Sequence, residues 1–229
     1  MHTFTKVSII VPVFNEKDTV LSVIEKVERV KLPLEKEIVV VDDCSTDGTR
    51  EVLKDQSGVV LIFHEKNTGK GGAIHTGITH STGDIILIQD ADFEYSPEEY
   101  PLLLAPIIEG HADVVYGSRF LKKGNTFGTL SYIANKVLTV LTRILITFPI
   151  TDMETCYKVF RADVLKKLTL QEKKFGFEPE VTMKLAAIPG IRYTEVPVTY
   201  HARSYKDGKK INWKDGFAAL WHIFRYKFL

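Results

Sequence analysis

Residues 86 to 101, ILIQDADFEYSPEEYP, begin as an apolar run and end in acids. Asp90, Asp92 and Glu94 fall at every second position, which in an extended chain puts all three carboxylates on one side. Like charges at that spacing raise one another's pKa unless something positive lies between them. A solvated strand end is the plain explanation. The chemical one is a site for Mg2+ or Mn2+, hard cations that take oxygen ligands and share them with a substrate's phosphates. The opposite charge appears in HARSYKDGKKINWKDG, where Arg203, Lys206, Lys209 and Lys210 lie around a glycine and can fold over an anion. A third stretch, NTGKGGAIHTG, carries Lys70 but lacks the Lys-Ser/Thr ending of a P-loop and the G-x-G-x-x-G spacing of a dinucleotide site. It reads either as a tight turn into a helix or as a helix N-terminus that, with Lys70, holds a ligand phosphate.

Alternating elements must position these groups. KVSIIVPVFNE predicts a buried strand over 7–13, and DTVLSVIEKVERV follows with apolar residues at helical spacing and Asp18 or Thr19 as N-cap. EKEIVVVDD gives a second strand ending in Asp42 and Asp43, GVVLIFHE a third and GDIILIQDAD a fourth, each followed by a helical segment. Four such β-then-α units imply an open, mostly parallel sheet in a three-layer α/β fold. Ligands of such sheets bind beyond the carboxyl ends of the strands, where FNE, DD and DADFE all fall here. A fifth strand ends at Arg119, a long amphipathic helix covers LSYIANKVLTVLTRILIT, and TDMETCYKVFRADVLKKL reads as loop, short strand and helix.

The 229 residues show no repeat or linker and read as one domain over 1–229. A net charge of +1 gives no global field for nucleic acid, so anion binding has to be local. Two cysteines are too few for a disulfide framework, which makes a reducing cytoplasm the expected compartment. The N-terminal segment reaches a charge and a proline too early for a signal peptide. VLTVLTRILITFPI is short of the ~20 apolar residues of a span and contains Arg143, so no crossing helix is expected.

Together, VSIIVPVFNE, IVVVDDCSTDGT, GKGGAIHTG, QDADFEYSPE, VVYGSRF and TDMETCYKVFR resemble, in order and spacing, the inverting glycosyltransferases of family two with the GT-A fold. The resemblance runs from about residue 6 to about residue 225 and is strongest to dolichyl-phosphate mannose synthases and related polyprenyl-phosphate sugar transferases. It implies a nucleotide-sugar half over about 6–120 and an acceptor half over about 121–229. Pro12, Phe14 and Glu16 would line the nucleoside pocket and Asp43 would contact the base. Asp90, Asp92 and Glu94 would hold the metal against the diphosphate, and Arg203 with Lys209 or Lys210 would grip that diphosphate. Arg119 would bind the acceptor phosphate. Relatives often carry tyrosine at Phe14 and glutamine at Glu94, and GTLSYIANK offers no counterpart to a second acceptor-side arginine.

The implied reaction moves mannose or glucose from a GDP- or UDP-linked donor to a polyprenyl or dolichyl phosphate. A phosphate acceptor is already nucleophilic at neutral pH and needs orienting more than deprotonating. A saccharide hydroxyl would instead need a base, for which Asp152 or Glu154 are the candidates. A nucleotide-sugar binder without turnover is the non-enzymatic alternative. A receiver-type phosphoacceptor would be about half this length and would lack the basic stretch. The C-terminal INWKDGFAALWHIFRYKFL places Trp213, Phe217, Leu220, Trp221, Phe224 and Phe228 at three- and four-residue intervals among basic residues. It is expected to close the core at its start and to lie on an anionic membrane surface, or on a membrane-protein partner, toward its end. That would make the protein peripheral to the cytoplasmic face of a membrane.

Overall fold

The computed structural model describes residues 4–174, 176–203 and 213–228. Lys206, Lys209 and Lys210 lie outside these residues. The first half alternates as its periodicity requires. Strands β1 (Lys6–Val13), β2 (Glu35–Asp42), β3 (Val60–Phe63) and β4 (Ile85–Ile88) are separated by α1 (Val20–Arg29), α2 (Thr49–Leu53) and α3 (Lys70–His80). After a 3-10 turn over Pro97–Glu99 come α4 (Tyr100–Ile108), β5 (Val114–Ser118), α5 (Thr129–Leu145), β6 (Lys158–Arg161), α6 (Ala162–Leu165), α7 (Phe177–Ala186), β7 (Tyr193–Pro197) and α8 (Trp213–Phe228).

The seven strands form one sheet in the order β3-β2-β1-β4-β6-β5-β7. Central β4 and β5 are buried at every residue, as expected of strands covered on both faces. Only β6 runs against its neighbours. The reason lies in the preceding loop, which returns along the carboxyl end of β5. There Thr151 Oγ1 meets Ser118 Oγ at 2.7 Å, and Thr155 Oγ1 donates to the carbonyl of Gly117 at 2.6 Å. A chain that arrives at that end can only enter the gap between β4 and β5 antiparallel.

The order also contains a topological switch point. β2 and β3 lie on one side of β1 and β4 on the other, so the connections diverge at the β1/β4 gap and leave a crevice beyond it. At the opposite end of the strands, Glu37 closes the sheet. Its carboxylate accepts from Ser8 Oγ, from Thr82 N at 2.7 Å and from Thr82 Oγ1 at 2.6 Å, and pairs with Lys6 at 3.3 Å. Burial disfavours the charge, but the bonds from Ser8, Thr82 and Lys6 outweigh it and bring the carboxyl to about 2. Because the folded value is depressed, this stabilisation is full above the unfolded value of about 4.3 and fades as pH falls towards 2. Glu37→Gln is therefore expected to lower the urea midpoint clearly at neutral pH and much less at about pH 3. An equal loss at both pH values would show that the carboxylate's charge is irrelevant.

Candidate active site

The crevice is walled by two loops tied to each other. Beyond β1, Asn15 takes a left-handed backbone (φ 52°), and beyond β2 so does Cys44 (φ 64°). Such conformations in residues other than glycine persist only where the surroundings hold them. Here Asn15 N donates to Ser45 Oγ at 2.9 Å, and Asn15 Oδ1 accepts from Thr46 N at 2.8 Å. Glu16 N donates to Thr49 Oγ1 at 3.0 Å. Thr19 is the N-cap of α1, but its hydroxyl turns away from the helix, to Glu16 Oε2 at 2.9 Å and the carbonyl of Ala91 at 2.8 Å. The loops after β1 and β4 are thereby joined across the crevice. Pro12 and Phe14, half-buried at the tip of β1, belong to the same wall.

The acids after β4 do not stand in register. The strand stops at Ile88 and the chain bends through 91–95, so alternation ends before the carboxylates begin. Each finds its own partner. Asp90 Oδ1 lies 2.9 Å from Lys70 Nζ, and that ammonium is also 3.4 Å from Glu178. Asp92 Oδ2 accepts from Arg203 Nη2 at 2.6 Å, while its Oδ1 accepts from Glu94 N at 2.9 Å. Glu94 turns to the C-terminal strap, accepting from Arg203 N at 2.8 Å and Tyr200 OH at 3.2 Å. The three carboxylates therefore do not form the in-register row that an extended chain would give them. Among the described residues no group of three or more His, Cys, Asp or Glu is gathered as a metal cage.

Arg203 is the centre of the arrangement. Besides Asp92 it donates to Glu16 from Nη1 (3.0 Å) and Nη2 (3.1 Å), bridging the loops after β1 and β4. Its Nε is buried without an acceptor. Asp92, 6% exposed, has its pKa pushed up by burial and by the charges of Asp90 and Glu94, against the pull of Arg203. A carboxyl in that state has unmet demand for positive charge. Asp90 and Asp92 therefore fit a divalent ion of the Mg2+ type, which takes one or two carboxylates and completes its shell with water and phosphate.

Three expected contacts are otherwise employed. Asp43, 2% exposed, accepts from Thr68 N (2.8 Å), Thr68 Oγ1 (2.8 Å) and Gly69 N (2.6 Å) and meets His64 Nδ1 at 2.8 Å. It clamps the 64–69 turn. In the glycine-rich turn two backbone amides are already engaged. Gly71 N and Gly72 N donate to the carbonyls of Lys174 (3.3 Å) and Lys173 (2.8 Å), which take up two of the free N–H groups at the start of α3. A Cβ at Gly71 would stand 2.3 Å from the carbonyl oxygen of Glu172, so glycine is required by the approach of residues 172–174. Lys70 accordingly serves Asp90.

At the end of β5, Arg119 and Asp152 form a buried bidentate pair. Nε and Nη2 reach Asp152 at 2.7 Å each, and the Arg119 amide adds a third bond at 2.9 Å. Asp152 is 0% exposed and fully engaged, which removes it as a candidate base. The guanidinium also lies over the Tyr200 ring at 5.0 Å, linking the acceptor side to the strap that carries Arg203. Glu154 keeps one buried oxygen without a partner, and burial with the nearby Glu178 pushes its pKa up. The contributions of Glu178 and Tyr200 lie in no motif of the sequence. A buried acid inside FEPEVTMKLAA was the one available hint.

Known proteins resemble this chain in sequence and in fold. The family model for glycosyl transferase family 2 matches residues 8–169. A dolichol-phosphate mannosyltransferase from Pyrococcus furiosus is 30% identical over 227 residues, an alignment that covers 96% of this chain. The chain spans 63% of that relative's length. Glucosyl-3-phosphoglycerate synthase from Mycobacterium tuberculosis, solved with UDP, superposes with a TM-score of 0.77 at 18% identity, over 97% of this chain and 80% of its own. The same synthase with Mn2+, UDP and glucosyl-3-phosphoglycerate gives 0.75 at 18% identity, over 98% and 80%. Identity this low establishes the shared fold, which is GT-A. With the switch-point crevice, the tied loops and a family match over most of its length, the chain belongs to glycosyl transferase family 2.

Proposed function

We propose that the chain transfers a hexose, with inversion, from a nucleotide sugar to a polyprenyl or dolichyl phosphate. The observation that carries this reading is Arg203, a half-buried guanidinium held by Glu16 and Asp92 at the switch point, whose buried Nε–H is left for a ligand. A buried donor without a partner is costly, and an oxygen of the donor diphosphate is the group that would satisfy it. An acceptor oxygen attacks the anomeric carbon, the bond from that carbon to the diphosphate oxygen breaks, and the diphosphate leaves with the electron pair. Arg203 and Lys70 place positive charge beside the position where that negative charge develops. Lys209 and Lys210 would extend the grip. Asp92 and Asp90 would hold Mg2+ or Mn2+, which when bound supplies Lewis-acid stabilisation of the leaving diphosphate. The mannosyltransferase relative favours mannose over glucose, and a GDP-linked over a UDP-linked donor follows as the first choice to test.

A lipid phosphate brings the chain to a membrane surface, and we place it on the cytoplasmic face. Both cysteines are free thiols, as suits a reducing compartment. Among the described residues no helix is long and apolar enough to cross a membrane. In α8 the aromatic stripe divides. Ala219 and Ile223 are buried, whereas Trp221, Phe224 and Phe228 remain exposed, and the side chains of Trp213 and Phe217 lie outside the description. A saccharide hydroxyl acceptor is the second reading. Glu154 favours it, because a carboxyl with raised pKa and an unpartnered oxygen is suited to take a proton.

Labelled sugar is expected to pass from GDP-mannose into a solvent-extractable lipid phosphate. Asp92→Asn should cut the rate by ~100-fold or more, and a chelator should abolish it until the metal is restored. Full activity in excess chelator would remove the metal from the reaction. Arg203→Ala is expected to lower kcat more than it raises KM, since the charge it meets is largest in the transition state. Glu154→Gln should leave transfer to a phosphate nearly intact; abolition would favour the hydroxyl acceptor.

The Arg119–Asp152 pair separates strut from ligand contact. Arg119→Ala strands a buried carboxylate and should cost about 3–5 kcal/mol by urea unfolding. Arg119→Ala/Asp152→Ala should recover much of that stability without recovering transfer, if the guanidinium also orients the acceptor phosphate. Recovery of both would reduce Arg119 to a structural role.

A further inference from the structure

The largest feature left unused by the proposed chemistry is the outer face of α5. Leu130, Ile133, Val137, Val140 and Ile144 are each between 54% and 76% exposed. Their 3-4-3-4 spacing places them within an arc of about 80° along ~21 Å of helix. Leu138, Thr139 and Thr142 on the other side are buried, so the helix is docked and its apolar row is left over. A patch of this kind on an otherwise ordinary surface marks an interaction site.

Charge identifies the occupant. From Arg119 to Thr151 the chain contains no Asp or Glu, but it does contain Lys123, Lys136 and Arg143 besides Lys122, which pairs with Glu99 at 2.8 Å. Lys136 and Arg143 project from α5 beside the apolar row, on one edge of it by helical geometry. α5 packs against α8, whose Trp221, Phe224 and Phe228 also remain exposed and whose Arg225 is already paired with Glu172 at 3.0 Å. A second copy of this face would oppose like charges without a carboxylate to pair with them. An anionic lipid surface complements both features, the apolar row entering the acyl boundary and the cations meeting the headgroups.

We infer that α5 and the preceding 119–128 loop form a docking face for an anionic membrane surface, with α8 as its flank. The face extends the lipid-phosphate reading, on which only the purpose of docking rests. It also lies next to the acceptor side of the site, because Arg119 begins the same acid-free segment. Asn125 bonds the Arg119 carbonyl at 2.7 Å and the Tyr200 amide at 2.8 Å, which ties the loop to the strap bearing Arg203.

The test is sedimentation of the full chain with phosphatidylcholine vesicles, with and without phosphatidylglycerol. The chain should pellet with the anionic vesicles and release as salt rises. Ile133→Glu/Val140→Glu, at exposed positions, should keep the melting temperature and lose at least ~10-fold in vesicle affinity. Lys123→Gln/Arg143→Gln should weaken binding several-fold. The same variants should turn over a short, water-soluble isoprenyl phosphate at the unaltered rate. Absence of turnover with intact vesicle binding would sink the functional reading and leave the docking face standing. Three results overturn the face itself: no pelleting with anionic vesicles, pelleting unaffected by Ile133→Glu/Val140→Glu, or a dimer in solution that this substitution dissociates.

Discussion

The repulsion between acids at the β1/β4 gap is the constraint on which the site depends. Glu16 comes from one strand end and Asp90, Asp92 and Glu94 from the other, and the switch point brings them to one crevice. Four carboxylates held this close, with Asp92 nearly buried, require positive charge to coexist in ionised form. Arg203 supplies it to Glu16 and Asp92, and Lys70 supplies it to Asp90. Because Arg203 arrives from beyond β7 and Lys70 from the start of α3, neutralising the acids draws three distant parts of the chain together. An incoming diphosphate and its metal would change the partners in this network while keeping its balance of charge.

The support for Lys70 is indirect and long. α8 holds Glu172 through Arg225 at 3.0 Å and Tyr226 OH at 2.7 Å. Residues 173 and 174, which follow, present their carbonyls to the first turn of α3, where glycines allow contact at backbone distance. Lys70 in that turn then reaches Asp90 and Glu178. Tight packing of this sort leaves little room for substitution, since interiors respond to a single added methyl group. It also explains why the turn resembles a phosphate loop in composition and serves a different end.

On the acceptor side the same physics recurs at lower dielectric. Arg119 and Asp152 are both removed from water, so their mutual attraction and their three hydrogen bonds must offset two desolvation penalties. The pair fixes the start of the 119–128 loop against the 146–157 loop, the segment that also forces β6 to run backwards. Tyr200, over the guanidinium and bonded to Glu94, transmits that position to the donor side. The Arg119–Asp152 pair and the acids after β4 therefore share residues 198–203 as a common wall.

The α/β class was legible in the sequence, and so were the polar strand ends and the basic stretch from which the fold gathers Glu16, Asp92 and Arg203. They depend on local signals: period-2 and period-3.6 hydrophobicity, and polar residues where an apolar run stops. What each charge does there was decided only by tertiary structure. The register of Asp90, Asp92 and Glu94 held only while the chain was taken as extended, and the bend after Ile88 dissolved it. Asp43 and Asp152 look like ligand contacts as residue types, yet both are spent on the chain itself, because their partners at 64–69 and at Arg119 are distant in sequence. Gly69 and Gly71 owe their identity to residues a hundred positions later. The apolar row of α5 was visible as helix amphipathicity, but which of its faces would be left in solvent was settled only by how the helix packed. Local pattern determines where elements form, whereas pairing and burial of charge are properties of distances that no single stretch of sequence contains.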